Sequence, residues 1–166
     1  MNKKGFTLVE LLATLLVLAI IMGIVLVSTT GGFGKAKERT EAIFVDTLRD
    51  AMDVYLNTDA KRLNFGSTPV CTISKTHSSS VSVYKSSNSL TFNNVINSSY
   101  HPISSSDMHN PANKNTDKYE CKSTGVLEIY RDDDYIYYYR INKNSFDCLT
   151  YYEDVYITNL PSGCNP

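Results

Sequence analysis

The chain lacks most of what enzyme chemistry or nucleic-acid binding needs. Charge of one sign is missing: 16 basic and 17 acidic residues leave a net charge of −1. There is no global basic field to draw in nucleic acid, and direct nucleic-acid binding is not expected. None of the four cysteines stands in a C-x-x-C pair, the spacing that marks structural zinc sites and redox centres. The Ser-rich stretches around Ser78 and Ser104 carry no Gly-x-Ser-x-Gly elbow, so no nucleophile comes with a positioned base. The run Asp132-Asp133-Asp134 lacks the Asp-x-Asp-x-Asp-Gly spacing of an EF-hand. It reads as a solvated hairpin turn, with calcium held by its hard oxygens as the weaker alternative. His77, His101 and His109 read as exposed loop residues. No catalytic constellation emerges, and neither an enzyme nor a cofactor is expected.

What is present stands at the start. After Met1-Asn2-Lys3-Lys4-Gly5 comes Phe6-Thr7-Leu8-Val9-Glu10-Leu11-Leu12 and then an apolar run that ends near Val27. As a helix, residues 6–27 are about 33 Å long at ~1.5 Å per residue, which matches a bilayer core of roughly 30 Å. Lys3 and Lys4 place the N-terminus on the cytoplasmic side, although Lys35, Lys37 and Arg39 weaken the asymmetry. A secretory signal peptide needs a shorter core and an Ala-x-Ala-like cleavage site, and neither is here. A plain anchor accounts for the length but leaves Gly5 and Glu10 as accidents, since a carboxylate in such a run is costly.

Residues 5–12 resemble the class III signal of type IV pilins and type II secretion pseudopilins, with the form Gly-Phe-Thr-Leu-x-Glu-Leu after a short Lys-bearing leader. The resemblance implies cleavage between Gly5 and Phe6 by a prepilin peptidase, N-methylation of Phe6, and a structural filament subunit. It gives Glu10 an assembly role: pairing with the terminal ammonium of a neighbouring Phe6, because a buried charge needs a partner. The partners implied are other pilin or pseudopilin subunits, the peptidase, a platform protein, a motor ATPase and the membrane. The fold implied is α+β, a long N-terminal helix packed on a small antiparallel sheet. The localisation implied is single-pass in the cell membrane, with the C-terminal domain extracytoplasmic and at the cell surface after assembly. Protein secretion, DNA uptake in competence, adhesion and twitching all share this N-terminus. The alternative from another class is an uncleaved, membrane-anchored binding domain.

The chain divides into a leader (1–5), a membrane and filament-core helix (6–27), a glycine-rich bend (28–34), an amphipathic helix (35–65) and a variable β domain (66–166). Gly31, Gly32 and Gly34 each weaken a helix by roughly 1 kcal/mol relative to alanine, which predicts a bend or a stretch that can melt. Beyond it, Ala36, Ile43, Phe44, Leu48, Ala51, Met52, Tyr55 and Leu56 form one stripe at spacings of three and four. Lys37, Glu38, Arg39, Glu41, Arg49, Asp50 and Asp53 fall largely opposite.

Strands are expected at 70–73, 81–84 and 90–96, with a long loop over 97–118. The strongest strand signal is Val126-Leu127-Glu128-Ile129-Tyr130, the turn Arg131-Asp132-Asp133-Asp134, then Tyr135-Ile136-Tyr137-Tyr138-Tyr139-Arg140-Ile141, an antiparallel hairpin. Alternation sets Tyr135, Tyr137, Tyr139 and Ile141 on one face and Ile136, Tyr138 and Arg140 on the other. The 12 tyrosines read as sheet core and interface, with an adhesive tyrosine surface as the alternative. A last strand is expected over 154–158. Cys71, Cys121, Cys148 and Cys164 lie in the exported part, and their even number reads as a disulfide framework with three possible connectivities. Likeness to the disulfide-closed terminal region of many pilins implies Cys148 with Cys164, which leaves Cys71 with Cys121.

Overall fold

The computed structural model describes residues 8–75 and 79–164, the side chains of residues 23–31 excepted. A single helix, α1 (Leu8–Thr58), runs for 51 residues, about 76 Å at ~1.5 Å per residue. It passes through residues 28–34 without a break, so, contrary to expectation, the glycines there do not interrupt the helix. Breaking the rod at Gly31, Gly32 and Gly34 would require a second, costly nucleation, whereas carrying the glycines inside it costs only their propensity deficit. Among the described residues, no helix is long and apolar enough to cross a membrane. The expected span at 6–27 is only partly covered: Phe6, Thr7 and the side chains of 23–27 lie outside the described residues.

After a short 3₁₀ turn (Ala60–Arg62) the chain builds one six-stranded antiparallel sheet: β1 (Cys71–Ser74), β2 (Ser80–Lys85), β3 (Leu90–Thr91), β4 (Val126–Asp132), β5 (Tyr137–Asn142) and β6 (Tyr156–Thr158). The order is β1-β2-β4-β5-β6, with β3 pairing the start of β4 beside β2. Two short helices, α2 (Phe92–Ile96) and α3 (Lys143–Phe146), follow β3 and β5. The expected strand over 90–96 therefore stops after two residues. Thr91 caps a helix there, its side chain and that of Asn94 closing a reciprocal capping box, which satisfies donors that a strand would have left to a neighbour.

The β4–β5 hairpin is antiparallel as expected, but its strands sit differently. Arg131 pairs with Tyr137, so Arg131 and Asp132 belong to β4, and the turn is residues 133–136. Alternation holds from Tyr137 onward, whereas Tyr135 and Ile136, expected in the strand, lie in the turn. Leu127, Ile129, Tyr139 and Ile141 face α1 and join Phe44, Val45, Leu48, Met52 and Leu56 in the main core. Tyr130 and Tyr138 point to the opposite face, where Ile73, Val83 and Cys164 form a second, smaller cluster. Each fully buried Leu, Ile or Phe contributes roughly 1.5–3 kcal/mol. Gly125 precedes β4 because nothing larger fits: a Cβ there would stand 2.9 Å from the Phe146 ring and 3.3 Å from the Lys122 carbonyl.

The helix stripe is mostly as expected, with three corrections. Ala36 is exposed and Ile43 is 68% exposed, and Glu41, assigned to the polar side, is buried. The disulfides also differ from the expected pairing. Cys71 is bonded to Cys164, with Cα atoms 5.5 Å apart, and Cys121 to Cys148, at 4.9 Å. The reason is the sheet itself. Cys121 and Cys148 belong to the core on the helix side and Cys164 to the cluster on the far side, so the sheet stands between Cys148 and Cys164. The tail reaches Cys71 by a tight turn over residues 161–164, closed by the Cys164 amide donating to the Pro161 carbonyl at 3.1 Å. Gly163 takes the φ of 100° which that turn requires.

Candidate assembly interface and loop clamp

The N-terminal part of α1 stands clear of the domain. Large apolar side chains from Leu8 to Met22 are between 53 and 81% exposed, and they lie on every side of the helix. Such a surface is far beyond what isolated soluble proteins leave open, and it marks a segment that is covered in use. Glu10 lies near the N-terminal end of the described part of α1. Gly5 and Phe6, the expected cleavage and methylation positions, lie outside the described residues.

Where α1 meets the domain, a buried carboxylate takes over. Glu41 is 1% exposed. Its Oε1 accepts hydrogen bonds from the backbone amides of Tyr151 and Tyr152, both at 2.7 Å, and its Oε2 from the Thr150 amide at 3.1 Å and the Asn110 Nδ2 at 2.8 Å. The Asn110 Nδ2 donates also to the Cys148 carbonyl at 2.8 Å. Asn113 donates to the same carbonyl and to the Thr150 hydroxyl, both at 3.1 Å. Three successive backbone donors and one amide thus meet a charge that burial alone would make prohibitive. The loop that follows the Cys121–Cys148 bridge is fixed to the helix at the point where the exposed half ends. Sequence reasoning missed this residue because it sorted by charge. The signal was there: positions 41, 44, 45, 48, 52 and 56 continue one helical stripe.

The acidic hairpin run does not gather for a cation. Asp132 is fully buried; its Oδ1 accepts the amides of Asp134 and Ile136 at 3.0 and 2.8 Å, and its Oδ2 the Tyr138 hydroxyl at 3.0 Å. Lys75 pairs with both Asp132, at 3.0 Å, and Asp134. Asp133 accepts the Ser82 amide at 2.9 Å. Burial pushes the Asp132 carboxyl up, but the Ile136 amide, Lys75 and the Tyr138 hydroxyl outweigh it and hold it below its ordinary value. The same setting, burial first and then the hydrogen bond to Asp132, pushes Tyr138 up to about 12. The run is a structural turn, and among the described residues no group of three or more His, Cys, Asp or Glu could hold a metal. His101 is exposed and His109 is half-buried against the Tyr119 ring, 4.7 Å between centroids; His77 lies outside the described residues.

At the end of the same turn Tyr135 adopts φ 63°, a left-handed conformation that costs a non-glycine residue roughly 1–2 kcal/mol. Its ring lies 4.8 Å from the Arg131 guanidinium, which also lies 4.7 Å from the Phe65 ring. Sequence reasoning had placed Tyr135 among the strand residues and saw none of this, because the stack joins residues 65, 131 and 135 only through the fold.

Residues 1–26 match a family model described as the prokaryotic N-terminal methylation motif, which is the type IV pilin and pseudopilin signature. The match covers the leader and most of the exposed apolar helix; it supports a pilin-like or pseudopilin subunit and points to a structural role. The motif implies processing by a prepilin peptidase, association with other pilin subunits and a membrane-anchored, surface-assembled filament. Comparison with curated proteins and with solved structures returned no match.

Proposed function

We propose that the chain is a subunit of a type IV pilus-like or type II secretion-like filament serving protein secretion, DNA uptake or adhesion, and that it is not an enzyme. It is cleaved after Gly5, N-methylated at Phe6 and held in the membrane through residues 6–27, N-terminus in the cytoplasm. A motor ATPase and a platform protein then draw it into a helical filament. The observation that carries this reading is the coincidence of the methylation motif at residues 1–26 with a helix half that leaves its apolar side chains exposed while the rest of α1 is packed into a domain. Assembly exchanges lipid contacts of the apolar half for contacts with neighbouring helices, where close packing rather than water exclusion supplies the energy. In that dry setting Glu10 neutralises the Phe6 ammonium of the next subunit and so fixes the stagger.

The test is the intact mass and N-terminal sequence of the chain recovered from membranes of cells that carry a prepilin peptidase. A mature chain starting at N-methyl-Phe6 is expected, and one that still begins at Met1 overturns the reading in favour of an uncut anchor. Glu10→Ala is expected to remain in the membrane and drop out of filaments; undiminished incorporation removes the assembly role.

A further inference from the structure

We propose that the groove between the C-terminal part of α1 and the tip of the β4–β5 hairpin is a carbohydrate site that takes a neutral sugar ring stacked on Tyr135. This goes beyond the filament reading and does not depend on which filament the chain enters. The groove holds about 290 Å³ and is walled by Asp53 and Asn57 from α1, Tyr135, Ile136 and Tyr137 from the hairpin, and Asn159 from the segment after β6. A pyranose offers one face of C–H groups and a rim of hydroxyls that both donate and accept. The complementary receptor is an exposed aromatic ring beside a few planar carboxylate and amide groups.

Both halves of that receptor are present. Tyr135 is 68% exposed, yet it is held on one side by the Arg131 guanidinium and at its backbone by the left-handed turn. The Arg131 Nε is buried without a hydrogen-bond partner, so this cation is held by the flanking rings and serves to present the tyrosine. On the polar side, no hydrogen bond or ion pair among the described residues occupies the Asp53 carboxylate. Asn57 donates its Nδ2 to the Asp53 carbonyl at 2.8 Å, which leaves its Oδ1 as an acceptor. Asn159 accepts the Tyr139 amide at 2.7 Å, which fixes its amide plane and leaves its Nδ2 to donate. Asp53 and Asn57 supply acceptors and Asn159 a donor to the same groove, with Asp53 disfavouring an anion; a neutral sugar fits this set. The groove lies 31 residues beyond Met22, roughly 45 Å along the helix axis, so the apolar half itself is well separated from it.

The experiment uses the full oxidised chain in phosphocholine-detergent micelles, which contain no sugar. Methyl α-mannoside, methyl β-galactoside and N-acetylglucosamine serve as probes in saturation-transfer NMR. At least one is expected to receive saturation on its C–H face. Tyr135→Gly, which keeps the left-handed backbone while deleting the ring, is expected to weaken that sugar about ten-fold, and Tyr135→Phe to retain it. Asp53→Ala, at an exposed helix position, is expected to weaken it with an unchanged circular dichroism spectrum. Absence of transfer to all three sugars, or binding that survives Tyr135→Gly, overturns the proposal. Tyr135 that becomes protected from nitration on filament assembly overturns it too, by making the patch a contact between subunits.

Discussion

Between Leu8 and Met22 apolar side chains lie on all sides of α1 and remain exposed, whereas between Phe44 and Leu56 they fall on one side and are buried beneath the sheet. One continuous helix thus carries two unlike hydrophobic patterns. The first is uniform and suits surroundings that are apolar in every direction; the second is a stripe and suits a single sheet. The change occurs close to Glu41, a charged residue that takes a stripe position because the loop over Thr150, Tyr151 and Tyr152 turns its amides toward it.

Paired truncations separate the two halves of α1 most forcefully. Leu48→Ala is expected to cost the domain about 4 kcal/mol in urea unfolding, as a large-to-small change in a packed core does. Leu15→Ala should change the same transition by less than about 0.5 kcal/mol, because no domain contact is lost there. Equal effects would mean that the two halves unfold as one body. Next in size is the junction. Glu41→Ala strands three backbone amides and removes one acceptor of the Asn110 side chain, and is expected to cost about 3 kcal/mol; an unchanged midpoint would show that water replaces the carboxylate at no loss.

The domain alone should then show pH sensitivity. Asp132 has its folded carboxyl below its ordinary value. Its contribution is present above the unfolded value and is lost as acid protonates it, so the urea midpoint should fall as pH drops below about 4. At the alkaline end burial pushes Tyr139 up to about 12, as it does Tyr138. Stability from these neutral phenols is present below about pH 10 and is lost as pH rises toward about 12. The smallest effect concerns the link between halves. A Cβ at Gly32 or Gly34 meets nothing within 4 Å, so Gly32→Ala is expected to add about 0.5–1 kcal/mol of local helix stability with no change in the domain transition. Amide exchange across residues 28–34 would register it.

The parts of this architecture that rest on local pattern could be read from the sequence: the apolar N-terminal run, the stripe from Phe44 to Leu56 and the β4–β5 hairpin. The methylation motif was legible because its meaning sits in eight consecutive residues. The connectivity of the cysteines was not, since it depends on which face of the sheet each one reaches, and the likeness that suggested Cys148 with Cys164 carried no information about that face. Residues 28–34 failed for the opposite reason: propensity was read locally while helix continuity is cooperative. Glu41 and the Tyr135 stack escaped because their partners lie 109 to 111 residues and 70 residues away in the chain.

The nested bridges, Cys121–Cys148 inside Cys71–Cys164, turn residues 71–164 into a covalent ring, and α1 hangs from it as a rod joined at one end. Tension drawn along the rod enters the ring only at Cys71, after all of α1 and the 3₁₀ turn. Before that point it is resisted by side-chain contacts and by the hydrogen bonds at Glu41. Those bonds then act as a shear pin: a pull along the helix loads them before it strains any sulfur–sulfur bond, and the ring comes away whole.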